Sequence, residues 1–256
     1  MSRLQQLFQQ KSKRVLNVYC TAGYPGLDST AEVLDALQAA GADIVELGMP
    51  YSDPLADGPV IQHSSTVALQ NGMTIQTLFK QLQGFRSSIR IPVLLMGYMN
   101  PVLQYGFEKF CANAAAAGAD GLIIPDLPEY EFETEYGKFI KKHGLDFIFL
   151  VTPETSEERV RRLDKLSSGF LYAVTSSSTT GRDKNIHDVV SYLERLKDYQ
   201  LKNPVLAGFG IKDKQTFEAA CMHASGAIIG SAYIKALEHT KDINQTTQLF
   251  LNAILK

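Results

Sequence analysis

The chain has 256 residues, 45% of them hydrophobic and 20% charged, a balance that belongs to a folded globular chain and excludes a disordered one. Lys and Arg number 25 against 27 Asp and Glu, a formal net charge of −2, so no basic surplus exists to attract a nucleic acid. Cys20, Cys111 and Cys221 stand far apart without metal or redox spacing. Met1–Arg14 lacks an apolar leader region, and no run of about 18 apolar residues occurs. The expectation is a cytoplasmic chain with no disulfide framework, no metal site and no membrane span.

A short N-terminal helix is predicted over Arg3–Gln10. Eight short apolar runs follow as predicted strands: Val15–Cys20, Asp43–Leu47, Pro92–Met96, Gly121–Ile124, Asp146–Val151, Phe170–Val174, Pro204–Ala207 and Ala227–Ile229. Each is nearly continuously apolar, as a parallel strand covered on both faces requires. Helical periodicity lies between them at Ser29–Ala40, Phe107–Ala117, Glu157–Leu166, Val189–Leu196 and Lys214–Met222, with Asp28 and Ser156 as N-cap candidates. Ala40-Gly41-Ala42-Asp43 and Ala117-Gly118-Ala119-Asp120 repeat one pattern, a helix stopped at Gly just before a strand. The long interval after the second strand, Asp53–Thr74, must hold a loop and an extra helix. Eight βα repeats in this length predict an α/β fold, a (β/α)8 TIM barrel forming a single domain over residues 1–256. An open doubly wound sheet is the alternative.

In such a barrel the strand C-termini and the loops after them carry the chemistry. Glu46 stands inside an apolar strand, where an ionised carboxylate is costly without a partner. Asp53 and Asp57 follow in a loop punctuated by Pro50, Pro54, Gly58 and Pro59. Glu46 and Asp57 together suit a buried proton-transfer group and a mobile hydrogen-bonding carboxylate; alternatively Glu46 makes a structural ion pair and Asp57 caps the next helix. Later come small-residue turns: Ser176–Gly181 after strand six, Gly208-Phe209-Gly210-Ile211 after strand seven and Gly230-Ser231-Ala232 after strand eight. The last two fall where barrels bind phosphate, through exposed backbone N–H groups and without a basic side chain; alternatively they are ordinary βα turns. Asn100-Pro101 and Asp126-Leu127-Pro128 line the mouth or a partner surface. The run Thr179–Lys184 reads as a lid. The histidines at 63, 143, 187, 223 and 239 are dispersed without ligand spacing, and Lys212 and Lys235, outside strand interiors, offer no Schiff-base candidate.

Val45–Pro59, ending in Tyr-Ser-Asp-Pro-Leu-Ala-Asp-Gly-Pro, closely resembles the signature of the tryptophan synthase alpha chain family. Gly97-Tyr98-Met99-Asn100-Pro101, Ile124-Pro125-Asp126-Leu127-Pro128 and the three late turns fall in the family's order, and the similarity covers essentially the whole chain. The resemblance implies a lyase that cleaves indole-3-glycerol phosphate to indole and glyceraldehyde 3-phosphate without metal or cofactor of its own. It further implies a partner beta chain carrying pyridoxal phosphate, assembled as an alpha2-beta2 heterotetramer. On matching positions Glu46 is the general acid–base and Asp57 the indole-binding carboxylate. Gly181, Gly210, Ile211, Gly230 and Ser231 hold phosphate with Thr180 beside them, while Tyr19, Tyr98, Tyr172 and Phe209 line the indole end. Pro50, Asp53 and Asp126 face the partner. Some family members carry Arg where Ser176 or Ser177 stands here, which bears on how that loop closes. The competing readings are another barrel acting on a phosphorylated intermediate, which leaves the Glu46–Asp57 pair unexplained, and a non-catalytic activating subunit.

Overall fold

The computed structural model describes residues 1–175, 186–208 and 210–256. Nine strand pieces form a wholly parallel sheet: β1 (Val15–Thr21), β2 (Ile44–Gly48), β3 (Val93–Met96), β4 (Gly121–Ile123), β5 (Asp146–Phe147), β6 (Leu150–Val151), β7 (Leu171–Val174), β8 (Val205–Gly208) and β9 (Gly226–Ile229). Their order is β5-β4-β3-β2-β1-β9-β8-β7-β6. The two ends, β5 and β6, are halves of one extended stretch. Ile148 donates its N–H to Leu122 O at 3.1 Å on one side, and Phe149 O accepts from Tyr172 N at 3.0 Å on the other. The curled sheet therefore closes through residues 146–151, which excludes the open doubly wound alternative. The predicted fifth strand is split because its pairing passes from β4 to β7 midway.

Strand alternation divides the side chains into two cores. Val15, Ile44, Leu94, Ile123, Ile148, Phe170, Leu206 and Ile228 pack together inside the barrel, whereas Leu16, Val18, Val45, Leu47, Val93 and Leu122 belong to the larger core that also takes the helices. By the same parity Glu46, two residues beyond Ile44, points inward. The helix Arg3–Gln10 closes the N-terminal end. A capping box between Ser2 and Gln5 starts it, and its Leu4 is fully buried against the interior cluster.

The helices Thr30–Ala40 and Phe107–Ala117 end at Gly41 (φ 101°) and Gly118 (φ 96°), left-handed caps that the sequence echo had marked. Ser156 caps Glu157–Leu166 by accepting from Arg159 N. Asp28 does not cap: it lies within a short 3-10 turn, Leu27–Ser29, and Ser29 stands at the cap position, its hydroxyl turned back to donate to Gly26 O at 2.7 Å and not capping the helix. The interval after β2 holds the helix Pro59–Gln70, opened by Pro at its first turn. Helical segments that the periodicity did not reveal include Ile75–Gln81, Met99–Tyr105, Glu129–Glu131 with Gly137–Lys142, Ser231–Leu237 and Ile243–Leu255.

Asp120, buried at the start of β4, ties this end together. Its Oδ1 accepts from Arg3 at 2.9 Å, and its Oδ2 accepts from Val93 N at 2.8 Å and from Arg86. Arg86 in turn donates to Gly118 O at 2.8 Å and Ile91 O at 2.7 Å. Asp120→Ala strands a mostly buried guanidinium and a strand amide, so urea unfolding should show a loss of about 3–5 kcal/mol. Arg3→Ala, which removes a half-exposed partner, should cost under about 1 kcal/mol in the same assay.

Candidate active site

At the C-terminal end of the barrel a cavity of about 360 Å³ opens, within the range of small-molecule sites. Tyr19 from β1, Glu46 from β2, Met96 from β3, Tyr172 from β7 and Ile228 from β9 form its floor and sides. Asp57 and Ile61 reach it from the segment after β2, and Gly210, Ile211 and Lys212 follow β8. Gly230, Ser231, Ala232 and Lys235 follow β9. Residues distant in sequence thus meet because the parallel strands end on one side and the segments after β2, β8 and β9 converge there.

Glu46 is fully buried. Its Oε1 accepts a hydrogen bond from Asn17 Nδ2 at 2.6 Å, while Oε2 has no partner among the described residues. No cation pairs with it among the described residues, which removes the structural ion-pair alternative. Burial pushes the Glu46 carboxyl up to about 8, against the opposing pull of the Asn17 hydrogen bond.

Asp57 is half-buried and does not cap the following helix, whose N-cap is Gly58. Its Oδ2 accepts from the Tyr98 hydroxyl at 3.0 Å, and that hydroxyl accepts from Ala56 N at 3.0 Å. Asp57 N donates to Pro54 O at 3.0 Å, and Asp57 O accepts from Gln62 Nε2 at 2.8 Å. A compact turn therefore holds this carboxyl over the cavity. Desolvation raises it to about 6, with the Tyr98 bond opposing.

Two glycines admit the tyrosine rings. A Cβ on Gly48 would lie 2.1 Å from the Tyr19 hydroxyl oxygen, and one on Gly208 would lie 2.4 Å from that of Tyr172. Any side chain at either position would expel a ring from the cavity wall. Burial raises both phenols far above their usual range, so each stays a neutral hydrogen-bonding surface.

Of the other sequence-predicted residues, Tyr98 stands behind Asp57 in an adjoining small recess with Tyr51 and Pro54, not on the main cavity. Asp53 and Asp126 are exposed on the same end of the barrel, and Pro50 is half-buried. Asp126 accepts from Met99 N at 2.9 Å, and Asn100 donates to Tyr51 at 3.0 Å, so the loops after β2, β3 and β4 are laced together. Thr180, Gly181 and Phe209, with the proposed lid at 176–185, lie outside the described residues. Among the described residues no group of three or more His, Cys, Asp or Glu could hold a metal ion, and no helix is long and apolar enough to cross a membrane.

Sequence reasoning passed over Asn17 and Met96 as site residues, and weighed Lys212 and Lys235 only as Schiff-base candidates. A signal existed for the last: Lys235 follows Ser231 by four residues, one turn along the same helix face. Lys212 comes two residues after Gly210 in the turn following β8.

The sequence profile of the tryptophan synthase alpha chain family matches residues 4–254. The tryptophan synthase alpha chain of Parabacteroides distasonis is 49% identical, over 99% of both chains. That of Flavobacterium johnsoniae is 51% identical over 94% of this chain and 95% of its own. Among solved structures, tryptophan synthase subunit alpha from Legionella pneumophila superposes with a TM-score of 0.90 at 34% identity, covering 99% of this chain and 97% of that one. An aminoacrylate-bound tryptophan synthase from M. tuberculosis gives 0.87 at 30% identity, covering 99% and 98%. A barrel that carries a buried acid and a loop carboxylate on one cavity, with this agreement along nearly every residue, belongs to the tryptophan synthase alpha chain family.

Proposed function

We infer that this chain, read as one barrel domain over residues 1–256, cleaves indole-3-glycerol phosphate to indole and glyceraldehyde 3-phosphate as the alpha subunit of a cytoplasmic tryptophan synthase. The observation that carries the assignment of roles is the pairing, in one cavity, of a buried Glu46 with a free oxygen and an Asp57 fixed by Tyr98. The turns at Gly210–Ile211 and Gly230–Ser231 form another part of its wall, suited to a phosphate through their N–H groups. Thr180, Gly181 and Phe209 complete the proposed contacts from outside the described residues.

The chemistry follows from what must move. Protonation of indole C3 gives a ring cation with positive charge on the nitrogen. Glu46, held neutral by burial, supplies that proton. Asp57, ionised, accepts the ring N–H and offsets the charge. The hydroxyl on the carbon joined to C3 then returns a proton to Glu46 as its oxygen becomes a carbonyl. The carbon–carbon bonding pair restores the indole double bond, so Glu46 ends as it began. Phosphate binding at the far wall keeps the reacting carbons in register with Glu46, and Tyr19 and Tyr172 give the indole a flat apolar bed. Tyr98 serves by holding Asp57. This reading gives the chain itself no metal or cofactor; pyridoxal phosphate belongs to the partner beta chain, with an alpha2-beta2 assembly meeting the face that bears Pro50, Asp53 and Asp126.

Glu46→Gln should lower indole release by about 10²–10⁴-fold with substrate still bound, as the amide keeps the shape but cannot carry the proton. Asp57→Asn should lose about 10²–10³-fold. A folded Glu46→Gln protein that keeps most of its turnover would exclude this role.

The pH profile has a definite sign. Glu46 must start protonated, so activity should fall as pH rises through about 8. Asp57 must start ionised, so activity should fall as pH drops through about 6, where the substrate phosphate also titrates. A kcat/KM profile for indole release, with the acidic limb simplified in Asp57→Asn, checks both.

Partner coupling runs through one turn. Asp53 accepts from Ser52 Oγ at 2.5 Å and from Leu55 N through its carbonyl at 2.9 Å, four residues from Asp57. Docking at Asp53 therefore shifts the carboxylate that acts on the ring. Asp53→Lys should abolish most of the kcat increase given by saturating beta chain and leave the slower solo reaction within about twofold. Normal activation would remove Asp53 from the coupling.

A further inference from the structure

Asn17 is fully buried on β1, and its in-register neighbours on the flanking strands are Ile44 and Ile228. By strand parity it points into the barrel with Val15 and Tyr19, where the interior cluster is aliphatic and aromatic. A carboxamide offers two N–H donors and an oxygen acceptor. Here Nδ2 donates to Glu46 Oε1 at 2.6 Å, and Oδ1 has no partner among the described residues. An unsatisfied buried acceptor costs stability, and among aliphatic neighbours the amide has one offset, the hydrogen bond that it gives Glu46. The stability of the fold therefore does not account for Asn17. Its contact with Glu46 does.

We infer that Asn17 is a positioning residue for the reaction: by occupying Oε1 of Glu46 it makes Oε2 the oxygen that gives and takes the proton. This rests on the acid–base reading of Glu46 and deepens it, since that reading leaves the two oxygens equivalent. While Oε1 accepts the amide N–H, the proton of the neutral acid resides on Oε2, the atom with no protein partner. The same bond stops the carboxyl from turning about its last torsion, so Oε2 stays aimed as the proton leaves and returns. Reversing the amide would set Oδ1 against Oε1, lone pair against lone pair, whenever Glu46 is ionised.

The bond also acts on ionisation. A donor to the carboxylate favours the charged form and opposes the burial that disfavours it. The titratable groups around Glu46 are Tyr19 and Cys20 from β1, Tyr172 from β7 and Asp57 from the loop after β2. Burial keeps the two phenols and the thiol neutral through the working range. Asp57, with Lys212 and Lys235 elsewhere on the cavity wall, supplies the remaining charge. Removing Asn17 should therefore leave Glu46 protonated to higher pH.

The test compares Asn17→Val, Asn17→Asp and Glu46→Gln, reading kcat, KM, the pH profile of indole release and the thermal midpoint. Asn17→Val should lower kcat about tenfold with KM within about twofold, because aim is lost and binding is kept. Its basic limb should move up by about one pH unit, and its thermal midpoint should change little, because the unpartnered Oδ1 is exchanged for an unpartnered Oε1. Asn17→Asp keeps the shape but sets a second carboxyl against Glu46, so its basic limb should move up at least as far. An inactive Glu46→Gln beside an Asn17→Val with native kcat and native basic limb overturns the inference and leaves the Glu46 reading standing. An active Glu46→Gln overturns both. A destabilised Asn17→Val assigns the amide to the fold and overturns the inference, unless Asn17→Asp keeps the native midpoint and shows the shifted limb.

Discussion

Taking a carboxyl group out of water without a counter-ion disfavours its charge, and at Glu46 the barrel does this completely. One amide hydrogen bond offsets part of the cost, and the second oxygen is left unsatisfied. The neighbouring wall follows from that constraint. Glycines at 48 and 208 leave room for phenol rings, Tyr19 and Tyr172 line the cavity with Glu46, and burial keeps both phenols neutral. Among the described residues Asp57, on a loop and half-buried, brings negative charge back into the same cavity. Two carboxyl groups are thereby pushed to different ionisation ranges by environment alone, which is how one pocket supplies an acid and an anion together.

The two ends of the barrel divide the work. At the N-terminal end, ion pairs and backbone amides are tied together: Asp120 binds two arginines and a strand N–H, Asp43 accepts from Lys11 and from Leu16 N, and Leu4 packs into the interior cluster. Toward the cavity, Asn17 Oδ1 and Glu46 Oε2 have no partner among the described residues. Groups that would be satisfied in a structure built only for stability remain available to a substrate.

Much of this was legible in the chain because its signals are local. Continuous apolar runs marked the strands, Gly41 and Gly118 marked helix ends, and a lone acid in Ile44–Gly48 marked the site. What escaped was set by closure. The fifth strand breaks because it serves two neighbours, a fact of pairing and not of composition. Asn17 passed as part of an apolar run, since one small polar residue hardly changes the pattern; only its facing of Glu46 across the β1–β2 pair gives it meaning. Asp28 carries a capping side chain, yet the chain turns early and Ser29 takes the position. Asp57 was recognisable by its Pro- and Gly-bounded loop, whereas its fixation by Tyr98 depends on β3 lying beside β2.

The ionisation of Glu46 in the free protein tests the central constraint most directly. Infrared difference spectra of the wild type against Glu46→Gln, taken through the neutral range, isolate the carboxyl of this one residue. A protonated carboxyl band that persists at neutral pH and gives way to carboxylate through about 8 is the expected result. A Glu46 already ionised at mildly acid pH would contradict burial as the source of its chemistry.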